Sequence, residues 1–307
     1  PASRGGGLGR AGPPRSPGAA GAAAELTGRP TSSPVRSVRA RPAAQHNWSS
    51  SAARCFDGTR AFWTRRSVAD GAEEPQPTPA EQLLAFLRQE RRSFAAAALR
   101  GGSEFPEHLR TRLHSLLGQL TAADLGVSAA AAASLRGKSG VGYQEVYAGP
   151  EMTVAIFLLR AGSVIPLHDH PGMHVFGRLL FGRMRVQSFD LDRPLGSQGP
   201  APDVPTRGRR GSDVRMGPEP ETYVLGPESG NLHQLQAVDH CAFFDVLTPP
   251  YDPRRGRDCT YFQCRPQGTD EEPDACDLVP IDIVDFHIES SRYLGPAFFP
   301  NVTRSEH

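Results

Sequence analysis

Large apolar residues are scarce up to about Pro79, where the chain is mostly Ala, Gly, Pro, Ser and Arg without sustained periodicity. Such a stretch buries too little apolar surface to offset its ordering entropy, so residues 1–80 read as a disordered, low-complexity N-terminal segment. From Glu81 the texture changes. Leu83, Leu84 and Leu87, followed by Phe94 and Leu99, predict an amphipathic helix that Gly101-Gly102 breaks. Pro106 suits a first helical turn, and Leu109, Leu113, Leu116, Leu117 and Leu120 follow at helical spacing. Thr121 and Asp124 are spaced as a short capping box, and the alanines at 129–133 read as helix or linker. Residues 81–140 are therefore expected to form a helical extension whose leucines pack on the domain C-terminal to it.

After Gly142 the pattern is that of strands. Met152 to Leu159 is a mostly apolar run bounded by Gly149-Pro150 and Gly162, as a buried strand would be. Val164 to His168, Val175 to Phe181, and the alternating Arg183 to Gln187 continue the series. Residues 191–220, rich in Pro, Gly, Arg and Asp, predict a long polar loop, and strands resume at 221–225, 232–238 and 241–247. The later part, from Pro249-Pro250-Tyr251-Asp252-Pro253 to Tyr293-Leu294-Gly295-Pro296, reads as turn-rich segments wrapping one end of the strands. Short strands punctuated by Gly and Pro imply an all-β sandwich or barrel over residues 141–300, with 301–307 as a tail.

Composition narrows the classes. A net charge of +1 argues against a polyanion binder, so no nucleic-acid partner is expected. No run approaches the ~20 apolar residues of a membrane span, and no secretory signal is evident. Five cysteines, an odd number without zinc-finger spacing, fit reduced thiols. Cys241, Cys264 and Cys276 are read as buried or inert, and the glycosylation patterns at Asn47 and Asn301 as chance matches. The cytoplasm is the expected compartment. The arginine-rich, acid-poor start makes a mitochondrial address the alternative, although its Pro and Gly residues would break the amphipathic helix that a transit peptide needs. A monomer is expected.

The candidate chemistry sits at Pro166-Leu167-His168-Asp169-His170-Pro171-Gly172-Met173-His174. In extended backbone His168 and His170 project to one face while Asp169 points away, which is how a strand offers two imidazoles to one metal. His233, in Gly230-Asn231-Leu232-His233, is the best third ligand. These positions resemble the two motifs of cupin barrels. Gly162 precedes His168 by five intervening residues, His170 and Gly182 follow in order, and Pro227 to His233 fits the second motif loosely, with Ala237 where Asn is usual. The motif's glutamate falls at Val175 or His174, neither acidic, and His174 is read as a buried polar residue rather than a ligand. A site of three neutral imidazoles leaves a divalent metal its full charge, which favours an anionic co-ligand such as a thiolate.

With Asp245, Pro249-Pro250-Tyr251-Asp252-Pro253 and Gly256-Arg257-Asp258-Cys259 added, the sequence resembles the thiol dioxygenases, the family of 2-aminoethanethiol (cysteamine) dioxygenase and plant cysteine oxidases, over roughly residues 81–300. The resemblance implies a cupin double-stranded β barrel in which His168, His170 and His233 bind Fe(II). It implies that both atoms of O2 are added to a thiol to give a sulfinate. The implied substrates are cysteamine and proteins with an N-terminal cysteine, and the implied biology is oxygen sensing through degradation of the oxidised proteins. Asp245 would position the substrate amine or a water, Tyr251 would face the pocket, and Cys259 with Tyr261 match a pair that forms a thioether crosslink. Beside these stand plainer readings: a turn cap for Asp245, packing for Tyr251, an unlinked thiol for Cys259. The rival functions are a cupin oxygenase or isomerase acting on another small molecule, and a non-catalytic cupin binding module.

Overall fold

The computed structural model describes residues 76–100, 104–192, 204–217 and 221–300. The expectations for residues 1–75, for Cys55, and for Asn47 and Asn301 lie outside these.

Among the described residues four helices come first: α1 (Pro79–Gln89), α2 (Arg91–Arg100), α3 (Glu107–Gln119) and α4 (Ala129–Ala133), with a 3-10 turn at Ala123–Leu125. Thr121 and Asp124 do cap that turn reciprocally, the Thr121 amide donating to Asp124 at 2.9 Å and the Asp124 amide to Thr121 at 3.3 Å. The single helix expected from Leu83 to Leu99 is two, separated at Glu90. Leu99 is 80% exposed. Five residues carry it about 140° around the helix from Phe94, the residue that α2 buries.

Twelve strands follow among the described residues: β1 (Val141–Ala148), β2 (Thr153–Leu159), β3 (Val164–His168), β4 (His174–Phe181), β5 (Met184–Leu191), β6 (Thr206–Met216), β7 (Thr222–Leu225), β8 (Leu232–Ala237), β9 (Cys241–Thr248), β10 (Tyr261–Pro266), β11 (Ala275–Ile281) and β12 (Ile288–Arg292). One sheet has the order β12-β1-β2-β9-β4-β7, and the strands β10-β11-β6-β5-β8-β3 close into a ring. This is the cupin double-stranded β-helix.

The polar loop expected over 191–220 contains β6, which pairs with β5 along its length and with β11 at one end. Its outward face carries Arg and Asp rather than apolar residues, so no alternation marks it; cross-strand ion pairs such as Arg185–Asp213 and Arg209–Asp192 hold it instead. The C-terminal segments are not merely turns. β10 and β11 are members of the ring, and β12 runs parallel to β1 at the edge of the other sheet.

Burial explains why β2 and β9 read as continuous apolar runs: both of their faces are covered. On the outer face Val154, Ile156, Leu158, Phe244 and Val246 meet Leu83, Leu87, Leu109, Leu113 and Leu117 of the helices. Inside, Ala155, Phe157 and Phe243 meet Ile165, Met184 and Leu235 of the ring. Each such leucine or phenylalanine contributes about 1.5–3 kcal/mol by leaving water, so the helical layer anchors the back of the sheet that forms one wall of the site.

Candidate metal centre

β3 and β8 run antiparallel with Ile165 opposite Leu235, yet His168, not Leu167, stands opposite His233. One extra residue is accommodated on β3 next to Pro166, whose missing N–H suits a break in the ladder. That bulge brings the two histidines face to face. His170 lies just past the end of β3, before a turn at Gly172 (φ 64°) that leads into β4.

The structure brings His168, His170 and His233 together: all three are buried, and one ligand nitrogen from each lies within 4.8 Å of the others. Burial pushes the His168 imidazole down to about 4, and burial plus the neighbouring rings holds His170 and His233 well below the ordinary value. All three are therefore neutral near pH 7, the state a metal ligand needs.

Their tautomers follow from their partners. The His168 Nδ1–H donates to the Pro166 carbonyl at 2.8 Å, since a carbonyl only accepts, and this leaves Nε2 with its lone pair. The Tyr251 hydroxyl lies 2.7 Å from the Asp169 carbonyl and 2.8 Å from His170 Nδ1. Its one proton goes to the carbonyl, so it accepts from the His170 Nδ1–H, and the His170 Nε2 is also bare. That Nε2 stands 3.1 Å from His233 Nε2. Two imidazole nitrogens bound to one ion at about 2.1 Å stand about 3.0–3.4 Å apart for angles between octahedral and tetrahedral. A proton between two of the nitrogens would leave the third unserved, whereas a cation serves all three. The donor set thus fits a metal, and imidazole suits Fe, Zn, Cu and Ni.

Around the histidines, Tyr251 stacks on the His170 ring, centroids 5.5 Å apart. The Cys259 thiol lies within hydrogen-bond reach of the Tyr251 and Tyr261 hydroxyls, and burial pushes it up from the ordinary thiol range. Tyr261 is the residue of β10 opposite His168. Asp245, on β9, accepts from the Tyr223 hydroxyl at 2.5 Å, and burial pushes its carboxyl up to about 7 although that bond works the other way. Asp169 points away from the histidines, as the alternation predicts, and its carboxylate accepts from the Thr260 amide at 2.7 Å. His174 packs on Phe105 and Phe176, apart from the group of three.

Sequence reasoning gave no role to two residues that shape this site. Asn231 accepts from the His170 amide at 3.0 Å and donates to the His170 carbonyl at 2.7 Å, stapling the loop that carries one histidine to the start of the strand that carries another. The other is Tyr223. Asn231 stands two residues before His233, a spacing that offered a signal; Tyr223 offered none.

No helix among the described residues is long and apolar enough to cross a membrane.

The profile of the PCO_ADO family matches residues 116–298. The chain is 34% identical over 261 residues to the 2-aminoethanethiol dioxygenase of Mus musculus, covering 74% of this chain and 100% of the mouse protein. Against the 2-aminoethanethiol dioxygenase of Homo sapiens it is 36% identical over 229 residues, 64% of this chain and 83% of the human protein. Plant cysteine oxidase 1 of Arabidopsis thaliana is 38% identical over 131 residues, 41% of this chain and 43% of the plant protein.

Proposed function

The chain belongs to the PCO_ADO family of thiol dioxygenases, and from that membership we propose that it is an Fe(II) enzyme that adds both atoms of O2 to the thiol of cysteamine or of a protein's N-terminal cysteine, giving the sulfinate. The observation that carries this reading is the buried, all-imidazole group of His168, His170 and His233, which among the described residues includes no carboxylate. His168, His170 and His233 would hold the iron, which would supply a redox-active ion for thiol oxidation, as zinc would not.

The remaining assignments concern the chain's own groups. Tyr251 fixes the tautomer of His170 and stands beside the Cys259 thiol. Asp245 accepts a hydrogen bond from the substrate's ammonium group or from a water that bridges to it. Cys259 and Tyr261 are in reach of each other, which supports a thioether crosslink between them. The oxidation state produced, a sulfinate, is one that cells do not ordinarily reverse, which suits a signal read by degradation in an oxygen-sensing role.

The experiment loads the protein with iron without oxygen, then admits O2 with cysteamine and, separately, a peptide that begins with cysteine. Mass gain of two oxygen atoms on either thiol supports the reading. Iron bound with neither thiol oxidised contradicts it.

A further inference from the structure

Gly177 of β4 is the cross-strand partner of both Tyr223 on β7 and Asp245 on β9, so the three form one row across adjacent strands. Cross-strand partners share a face, and Phe243 and Tyr223 belong to the cluster between the sheet and the ring, which places this row on the inner wall. Ordinarily the middle residue's side chain would keep its neighbours apart. Here a Cβ on Gly177 would fall 2.1 Å from the Tyr223 ring and 2.3 Å from the Asp245 carboxylate. The missing side chain is the space in which tyrosine and carboxylate meet.

The level of the row between the sheet and the ring follows from its neighbours. One step below Asp245 on β9 is Phe243, in contact with the cluster that contains Leu235; one step along β8 from Leu235 is His233. The next inner residue above Asp245 is Leu247, in the cluster against which Tyr251 packs, and Tyr251 touches His170. Asp245 therefore stands at the level of the histidines. Tyr223 supplies its one hydrogen bond among the described residues, and Asp245 keeps 5% exposure.

We infer that Tyr223 is a positioning residue: across the gap left by Gly177 it engages one oxygen of Asp245 and leaves the other to accept from the ammonium group of an amine-bearing thiol. This rests on the proposed dioxygenase reading. The recognised class is a thiol with a protonated amine nearby, the chemistry shared by cysteamine and an N-terminal cysteine, and a charge-assisted bond of this kind is among the stronger polar contacts. Ala155 of β2 and Gly177 of β4, the residues opposite Asp245 on either side, do not titrate, and Cys241 is the other group whose charge bears on Tyr223. Among the described residues the other titratable groups around the site are the three histidines with Tyr251, Cys259 and Tyr261 beside them.

The test compares wild type, Tyr223→Phe, Asp245→Asn and the double variant, all iron-loaded, on cysteamine and on a thiol of similar length without the amine. In Tyr223→Phe the KM for cysteamine is expected to rise about tenfold with little change for the amine-free thiol. Because the tyrosine bond lowers the Asp245 carboxyl, its removal moves the acid limb of kcat/KM for cysteamine to higher pH, by about one pH unit. Adding Tyr223→Phe to Asp245→Asn should change nothing further, since the residue acts through the carboxylate. An unmoved acid limb, or an equal loss on both thiols, overturns the inference. Should Tyr223→Phe fail to fold, Asp245→Asn decides: it keeps an oxygen for the hydroxyl but removes the charge, and an acid limb that survives it is contradictory. A wild-type protein that oxidises neither thiol defeats the dioxygenase reading itself; a wild type that does so while Tyr223→Phe matches it defeats only this inference.

Discussion

Tyr261 and His168 are directly opposite each other where β10 meets β3, and theirs is the pairing that closes the ring of strands. A metal-ligand candidate and a crosslink candidate therefore share the seam of the barrel. A thioether between Cys259 and Tyr261 would tie the approach of β10 to the residue that braces His168. After turnover with iron, the peptide holding Cys259 and Tyr261 is expected to have lost two hydrogens, read by mass spectrometry. An unchanged mass contradicts the crosslink.

Tyr251 sets the tautomer of His170 through its own bond to the Asp169 carbonyl. Tyr251→Phe removes both contacts while keeping the ring that stacks on the imidazole. Partners that orient a metal-bound histidine typically matter by about 10–100-fold in metal affinity. Iron affinity, measured by competition with a chelator, should fall by that order. An unchanged affinity would mean that the tautomer is held by something else.

Asn231→Ala removes the staple between the His170 loop and β8 and leaves the buried His170 amide and carbonyl without that partner. The expected cost is about 1–3 kcal/mol in denaturant unfolding. Iron affinity should fall as well, because the loop that carries His170 is no longer held.

The helical layer makes a contrasting prediction. Leu113 is fully buried against the outer face of the sheet, remote from the histidines. Leu113→Ala should cost about 2–5 kcal/mol of stability. The variant, once folded, should bind iron as the wild type does.

Arg91 of α2 pairs with the buried carboxylate of Glu151 in the β1–β2 turn. Burial works to raise that carboxyl, but the bonds from Arg91 and Tyr147 hold it below the ordinary value. A depressed carboxyl contributes stability above its ordinary range and loses it as pH falls through the folded value. The stability gap between wild type and Arg91→Ala, measured by thermal unfolding, should therefore be present at neutral pH and narrow on acidification below about pH 4.5. A gap independent of pH would assign the effect of Arg91 to packing alone.

The legible and illegible parts of the sequence divide by the kind of signal. The pair His168 and His170, flanked by Gly162 and Gly182 and followed by His233, announced itself because a strand's two-residue period and a turn's need for glycine both leave marks in the residue string. Buried strands such as β2 and β9 were legible as apolar runs. β6 was not, because its stability comes from backbone pairing and exposed ion pairs, which look like loop composition. The bond between Tyr223 and Asp245 was invisible for a different reason. It joins strands that are not neighbours, across a glycine whose absent side chain has meaning only once β4 is placed between them.

The central claim is that the three-histidine site directs both atoms of O2 onto one thiol sulfur. The most direct measurement supplies isotopically heavy O2 to the iron-loaded protein with a cysteine-initiated peptide and weighs the product, alongside His233→Ala. The account predicts two heavy oxygens on the wild-type product, and neither bound iron nor oxidised peptide with His233→Ala. One heavy oxygen, or full activity without His233, would contradict it.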